Sequence, residues 1–220
     1  MHNARKTRVL LAALLVFGLP AGAAAQATGT VSVEGHGGFA FPLGTLGDLT
    51  STGGGFGAGL AVHFHPNWAV RGDVMLIKLD NKFSDDGTTL LSPPVDMLYF
   101  GGALEVNFTA PLYQDLPLTF AANLGAGVTS FDVDETWRSG HPANGIDASY
   151  LTFTGGGQLG ITVYRSSSLD ANVFVKAQPY FILTDSTDML GYAPSLAAIG
   201  EEPFDSVWVL PLTVGLRLTF

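Results

Sequence analysis

The chain has 220 residues, of which 47% are hydrophobic and 13% charged, and it contains no cysteine. The missing cysteine excludes disulfide bonds and thiolate chemistry. The formal net charge is −9, and it becomes −12 once the three basic residues of the N-terminal leader are set aside, so a nucleic-acid partner is not expected.

The N-terminus has the three parts of a secretory signal peptide. Arg5, Lys6 and Arg8 form a basic start, residues 9–19 form an apolar run, and residues 23–25 are alanines suited to a signal peptidase. The apolar run is too short to cross a bilayer, which takes about 20 residues. The predicted division is a cleaved signal peptide over 1–25, a short N-terminal segment over 26–30 and a barrel domain over 31–220.

The rest of the chain alternates large apolar residues with small or polar ones, and clusters of Gly, Pro, Asp and Ser interrupt the pattern. A period of two is the signature of a β-strand. Each segment has about the 9–11 residues that a tilted strand needs to cross a bilayer. The eight predicted strands cover residues 31–41, 54–64, 68–79, 97–108, 118–128, 151–163, 171–183 and 207–220.

The predicted connections alternate between short turns and long loops. This arrangement is typical of an outer-membrane barrel with short periplasmic turns and long extracellular loops. The sequence therefore predicts an all-β fold, an eight-stranded antiparallel transmembrane barrel with up-and-down connections. The short turns are at 65–67, 110–117 and 164–170, and the long loops are at 42–53, 80–96, 129–150 and 184–206.

The two faces of the predicted strands differ in chemistry. One face is mainly Gly, Ala, Thr, Asn and Gln, whereas the other is bulky and apolar, as at Phe56, Leu60 and Phe64. The interior of an eight-stranded barrel is only just wide enough for side chains, so the bulky face would overfill it. A water-facing wall would also carry more charges than the predicted strands contain. We therefore expect the apolar face to contact lipid and the small, polar face to line the lumen.

The last predicted strand, VWVLPLTVGLRLTF, keeps its alternation to the final residue. Inside a bilayer every backbone polar group needs an internal partner, so a membrane barrel closes without a free edge. We therefore expect the last strand to pair with the first. Trp208 and Phe220 stand near its two ends, where interfacial aromatic residues are expected.

These features, together with GGGFGAGLAVHFHPNWAVRGDV at 53–74 and the ending LRLTF, give the chain a family resemblance. Over residues 31–220 it resembles small outer-membrane β-barrels of the OmpA transmembrane-domain and opacity-protein type. The first hairpin contributes a GxGxxxPxGxL-like pattern made of Gly35, Gly37, Pro42, Gly44 and Leu46.

The resemblance implies a place in the outer membrane of a diderm bacterium, reached through the general secretory pathway. It implies contact with outer-membrane lipid and lipopolysaccharide, and with the barrel-assembly machinery and periplasmic chaperones during biogenesis. It also implies that Leu216, Leu218 and Phe220 carry the assembly signal. It does not indicate one function, because such barrels include adhesins, wall anchors, closed structural barrels and enzymes.

Polar residues at predicted inward positions form a candidate lumen network. Buried charges need partners, so opposite charges in one narrow lumen are expected to form salt bridges that plug the barrel. A conducting or gated pore along the same residues is the alternative. The network consists of Glu34, His36, Arg71, Asp73, Glu105, Lys176 and Arg217, with Asn107 and Gln178 also at inward positions.

Acidic residues are concentrated in the predicted long loops, which hold 14 of the 19 acids. One interpretation is solubility of a water-facing surface. The other is binding of a divalent cation that bridges to lipopolysaccharide or a partner, because carboxylates suit Ca²⁺ and Mg²⁺. Asp132, Asp134 and Glu135 form the best local cluster and are the candidate cation-binding loop.

The histidines offer a weaker metal hypothesis. His63 and His65 are two residues apart on one predicted strand, and His36 lies in the first hairpin. Zinc requires three or four ligands in a fixed geometry. A structural or interfacial role is therefore favoured, and neither a metal nor another cofactor is predicted.

An enzyme at the outer rim is a further alternative, because some small outer-membrane barrels modify lipid A with a serine, a histidine and an acid. Ser139, His141 and Asp147 lie together in the third long loop. A triad is defined by geometry, however, and the chain has no Gly-x-Ser-x-Gly nucleophile motif. No catalytic residue is therefore predicted.

The function expected from the sequence is that of a non-enzymatic outer-membrane barrel with a plugged polar lumen. Such a protein would support envelope integrity and present acidic loops for contact with a ligand, a cation, a host or another partner. A narrow channel for small or apolar solutes is the alternative, and an enzyme acting on lipid A is the second alternative.

Overall fold

The computed structural model describes residues 29–83, 90–92, 94–113, 116–133, 147–188, 197, 200, 202 and 205–220. The predicted signal peptide lies outside these ranges. Within them, the structure contains no helix with the length and hydrophobicity that crossing a membrane requires.

The described chain is built almost entirely from β-strands, with one short helix after the first strand. The helix is α1 (Thr45–Leu49). The strands are β1 (Val31–Leu43), β2 (Ser51–His65), β3 (Trp68–Asp80), β4 (Lys82–Phe83), β5 (Leu90–Ser92), β6 (Val95–Tyr113), β7 (Leu116–Val133), β8 (Asp147–Arg165), β9 (Asp170–Ala177), β10 (Tyr180–Leu183) and β11 (Ser206–Thr219).

The long strands form an antiparallel meander that closes on itself. The order is β1-β2-β3-β6-β7-β8, then β9 with β10, then β11, and β11 pairs with β1 from Ser32↔Thr219 to Leu43↔Trp208. Strands β9 and β10 both pair with β8 and β11, so they are one barrel strand interrupted at residues 178–179. Pro179 lies at the interruption and has no N–H to give to a ladder. The predicted eight-stranded antiparallel barrel is confirmed.

The strands are longer at the long-loop end than the sequence predicted. Strand β6 begins at Val95, β7 continues to Val133, and β8 begins at Asp147, although residues 129–150 were expected to form a loop. Alternation continues through this end, because Phe131, Val133 and Tyr150 point inward and are buried. Burial of these side chains stabilises the additional strand residues in the sheet.

Large apolar side chains cover the outside of the barrel, as predicted. Among them, Leu124 is 74% exposed, Phe39 66% and Phe56 64%. Aromatic residues stand near the rims, and the rings of Phe181 and Trp208 lie 4.7 Å apart between centroids. At the short-turn end the exposed aromatic residues include Phe64, Trp68, Phe108, Phe120, Tyr164 and Phe220.

Candidate functional site

The structure brings the predicted lumen network together in the half of the barrel nearest the short turns, called here the short-turn half. Its six ionisable residues other than the histidine are between 0% and 7% exposed. They come from five different strands, so the network crosses the lumen rather than following one wall. The residues are Glu34 on β1, Arg71 and Asp73 on β3, Glu105 on β6, Lys176 on β9 and Arg217 on β11.

Glu34 is the centre of this ion-pair cluster. Its carboxylate accepts hydrogen bonds from Arg71, from Lys176 Nζ at 3.2 Å and from Arg217 Nη2 at 2.9 Å. All three cations therefore contact one carboxylate, which ties β1 to β3, β9 and β11. Glu34 acts as a cross-link between opposite walls of the barrel.

Two further acids complete the cluster. Arg71 donates from Nε to Asp73 Oδ2 at 2.6 Å and from Nη1 to Glu105 Oε2 at 2.8 Å. Arg217 also reaches Glu105, at 3.0 Å from Nη1 and 2.9 Å from Nη2. Arginine suits this role because its planar group donates several hydrogen bonds in fixed directions.

The cluster is balanced in charge, since three acids face three bases. Burying a charge is costly unless it is paired and hydrogen-bonded. Here each of the six groups has at least one oppositely charged partner within 4.0 Å. The geometry can hold the lumen closed without leaving an uncompensated charge.

Glycines on the inner face of β2 make room for the cluster. A Cβ atom added at Gly59 would lie 2.7 Å from Arg71 Nη2 and 2.9 Å from Asp73 Oδ1. One added at Gly57 would lie 2.8 Å from the ring of His36. The run GGGFGAG therefore supplies a wall without inward side chains, against which the large side chains of β1 and β3 pack.

His36 lies at the edge of the cluster, with Nε2 3.9 Å from Glu34 Oε1. Among the described residues, Glu34, His36 and Asp73 could offer ligand atoms within 4.8 Å of one another. Both carboxylates already bind Arg71 and lie within 3.7 Å of Lys176. A divalent cation would have to displace these bases, so the donor set fits an ion-pair role better than a metal site.

The three histidines that suggested a metal site are not assembled into one. His63 Nε2 lies 2.8 Å from Ser32 Oγ on the inner face, whereas His65 is exposed and its Nδ1 accepts the N–H of Asn67 at 3.3 Å. His36 belongs to the ion-pair cluster instead. Each histidine therefore has its own local contact.

A polar contact at the closing seam was missed by the sequence analysis. Ser32 Oγ lies 2.8 Å from both His63 Nε2 and Thr219 Oγ1, which joins β1 to its neighbours β2 and β11. Ser32 is 2% exposed. Only the register of the closed barrel places these residues side by side, so no sequence pattern could have identified the contact.

The half of the lumen nearest the long loops, called here the long-loop half, contradicts the expectation of a small, polar inner face. It is filled by a large apolar core. The physical reason is that this end is roofed by α1 and carries charges on its outer wall, so its interior is built like that of a soluble barrel. The core contains Ala40, Leu46, Leu49, Met75, Ile77, Leu79, Val95, Met97, Tyr99, Phe131, Val133, Tyr150, Tyr180, Ile182, Val207 and Val209.

Some of the acidic residues that were predicted to lie in loops lie on strands, because the strands extend further than predicted. Asp96 on β6 is directly opposite Asp132 on β7, which is directly opposite Asp147 on β8. Asp80 is the last residue of β3. Asp134 and Glu135 of the candidate cation-binding loop lie outside the described residues.

The residues of the rim-enzyme hypothesis cannot be assembled from the described chain. Ser139 and His141 lie outside it, and Asp147 is the exposed first residue of β8. The residues implied as an assembly signal are in β11 and just after it. Leu216 and Phe220 are 44% and 57% exposed on the outer face.

Comparisons with known proteins agree with the fold. No family model and no curated protein sequence matches the chain. Among solved structures, Neisserial surface protein A shares 13% identity and a TM-score of 0.50, over 86% of this chain and 97% of that one. At this identity the likeness shows that the chain has the fold of a small outer-membrane barrel protein.

Two other solved structures are more distant. Ail, the attachment invasion locus protein of Yersinia pestis, in complex with the heparin analogue sucrose octasulfate, is 14% identical over 87% of this chain and 99% of that one, with a TM-score of 0.42. A major outer membrane protein from Thermus thermophilus is 15% identical over 88% of this chain and the whole of that one, with a TM-score of 0.38.

Proposed function

We propose that the protein is an integral outer-membrane barrel with a plugged lumen and no enzymatic activity, related to the OmpA and opacity-protein type. Export through a cleaved signal peptide over residues 1–25 belongs to this proposal. The support for a membrane location is the outer wall, where residues such as Leu124, Phe39 and Phe56 are exposed. Apolar side chains on the outer wall of a closed barrel suit hydrocarbon.

The ion-pair cluster is the observation that carries the plugged lumen. Eight strands leave an interior that side chains can fill, and here six charged side chains meet across it with contacts between 2.5 and 3.7 Å in addition to that of Arg71 with Glu34. An ion entering this half would have to replace a balanced set of partners. The cluster would also brace opposite walls, which suits a role in envelope integrity.

The exposed acids are the support for a surface role. Asp96, Asp132 and Asp147 face outward at the long-loop end, with Asp185 and Glu202 also exposed there. Contact with a cation, lipopolysaccharide or a protein partner through this end is part of the proposal. Leu216, Leu218 and Phe220 are proposed as the signal that the barrel-assembly machinery recognises.

Conductance of the refolded chain over residues 26–220 tests the plug. The protein would be accepted only if it migrates as a folded, heat-modifiable barrel, and it would then be reconstituted in a planar lipid bilayer. We expect no discrete current steps. Reproducible steps in the unmodified protein would favour the narrow channel along the same lumen residues.

A separate test addresses the absence of catalysis. Cells producing the protein would be compared with cells producing Ser139→Ala with His141→Ala, and their lipid A species would be measured by mass spectrometry. We expect identical spectra. A lipid A species that disappears with the double substitution would favour the rim enzyme.

A further inference from the structure

The mouth of the barrel at the long-loop end is closed by the apolar core. Among the described residues, every strand of the ring except β2 contributes a buried side chain to it. Leu79, Val95, Ile182 and Val209 are each 0% exposed. The core therefore spans the whole cross-section of the lumen rather than lining one wall.

Helix α1 forms the lid of this core. Leu46 and Leu49 project from it into the lumen and are 2% and 0% exposed. Thr50 donates its hydroxyl to Leu46 O at 2.9 Å, and Lys82 donates from Nζ to Gly47 O at 2.8 Å. Hydrogen bonds therefore fix the lid at two points, one at its own C-terminal end and one to β4, which follows β3.

The apolar core and the ion-pair cluster occupy opposite ends of the same lumen. On β3, Arg71 and Asp73 belong to the cluster, whereas Met75, Ile77 and Leu79 belong to the core. No residue is shared between the two groups. They also exclude ions for different reasons, since the cluster needs its charges paired and the core offers an ion no polar partner.

We propose that the lumen is closed twice, and that the apolar core with its α1 lid is a second seal independent of the ion-pair cluster. The inference rests on the proposed plugged lumen and adds a specific consequence. Breaking the ion pairs alone leaves the barrel closed. Conduction requires that the lid be opened as well.

The test measures planar-bilayer conductance in four proteins, each accepted only as a heat-modifiable barrel. Glu105→Ala with Arg217→Ala removes one acid and one base that contact each other at 2.9 Å, so the cluster stays balanced. Leu46→Ser with Leu49→Ser opens the lid. We expect silence from the unmodified protein and from each pair alone, and discrete steps from all four substitutions combined.

Two results would overturn the second seal. One is conduction by Glu105→Ala with Arg217→Ala alone, and the other is silence of the combined variant. Conduction by the unmodified protein would instead overturn the proposed function, so the two failures are distinguishable. A matched control is Leu43→Ser with Leu183→Ser, which changes leucines on the outer face that are 43% and 39% exposed. Added to the ion-pair variant, it should not produce conduction.

A second measurement covers the case in which the combined variant does not fold. The chain has no native cysteine, so Thr154→Cys places a single thiol on the inner face of β8, opposite Tyr180 of the core. Thr154 is 3% exposed. Replacing Leu46 and Leu49 by serine should speed labelling by a water-soluble maleimide at least about a hundredfold. An unchanged labelling rate would overturn the role of the lid.

Discussion

Along β3 and β6 the two halves of the barrel have opposite polarity. In the short-turn half, charged residues such as Arg71 and Glu105 are buried inside and apolar residues such as Leu104 are exposed outside. In the long-loop half, Ile77 and Met97 are directly opposite each other and buried inside. The next opposed pair along the two strands, Lys78 and Asp96, is exposed and ion-paired at 3.4 Å. The same strands make both halves without any change in register along β3 and β6.

The surroundings of a strand, and not its alternation, therefore decide which of its faces is apolar. A strand immersed in hydrocarbon turns apolar side chains outward, and one surrounded by water turns them inward. The reversal along β3 and β6 indicates where the proposed membrane ends. On β3 and β6 the outer wall of the long-loop half is then built like that of a soluble barrel, whereas Leu43 on β1 and Leu183 on β10 keep it apolar at the same end.

The largest loss of stability is expected from a substitution in the ion-pair cluster. Arg71→Ala leaves the buried carboxylates of Glu34, Asp73 and Glu105 without one of their bases. Removing one partner of a buried pair typically costs about 3–5 kcal/mol. Urea unfolding in lipid vesicles, followed by tryptophan fluorescence, would measure the loss.

Arg165→Ala is the matched control for this substitution. Arg165 and Asp170 flank the turn between β8 and β9, and the two paired side chains are 57% and 38% exposed. Exposed pairs are worth about 0–1 kcal/mol. Equal losses for Arg71→Ala and Arg165→Ala would contradict the assignment of the lumen cluster as a buried structural plug.

The next largest loss of stability is expected from a substitution in the apolar core of the long-loop half. Ile182→Ala removes a fully buried side chain and should cost about 2–5 kcal/mol, because a rigid core leaves a cavity. Ile161→Ala, on the outer face of β8 and 39% exposed, should cost less, about 1–2 kcal/mol. Lipid chains can fill the outer gap. A larger loss at Ile161, measured by the same unfolding assay, would argue that the two halves are built alike.

A smaller effect tests the glycine wall of β2. Gly59→Ala places a Cβ against the buried side-chain ends of Arg71 and Asp73, which their ion pair holds in place, and should cost about 1–3 kcal/mol. Gly35→Ala is the control, since a Cβ there meets nothing within 4 Å. It should be neutral or stabilising by up to about 1 kcal/mol. Similar thermal stabilities for the two variants would refute the tight fit around the cluster.

The smallest effect is expected from the exposed row of acids. Asp132 lies directly between Asp96 and Asp147 on neighbouring strands. Directly opposite like charges are unfavourable, so Asp132→Asn should stabilise the barrel by about 0.2–1 kcal/mol at low salt. The gain should shrink at high ionic strength, where exposed charges are screened. A destabilised variant would show that the carboxylate of Asp132 has a favourable contact.

The barrel itself was predictable because its signal is repeated along the whole chain. Eight alternating segments, bounded by turn residues, matched eight ring strands, and charged residues at inward positions such as Glu34 and Arg217 indicated a network. The narrow lumen predicted only that these charges pair with one another. The individual partners, such as Arg217 with Glu34, depended on the register of the closed barrel.

The polarity reversal could not be predicted from alternation. In MLIKL at 75–79, apolar residues occupy both inward and outward positions, so period two does not say which face is buried. The helix α1 has only five residues, too few for a periodic signal. Pro179 is visible in the sequence as a cause of the break at residues 178–179. A proline can equally end a strand, however. Only the pairing of β9 and β10 with the same two neighbours, β8 and β11, shows that the break lies inside one barrel strand.

The charges on the outer wall of the long-loop half have a consequence for how the barrel reaches its final place. If the long loops face outward, Lys78, Asp96, Asp132 and Asp147 have to travel through the hydrocarbon layer before they stand in water beyond it. Moving charges through the middle of a bilayer is costly. The kinetic barrier to insertion then grows with the thickness of the bilayer, even though the finished barrel leaves none of these charges in hydrocarbon.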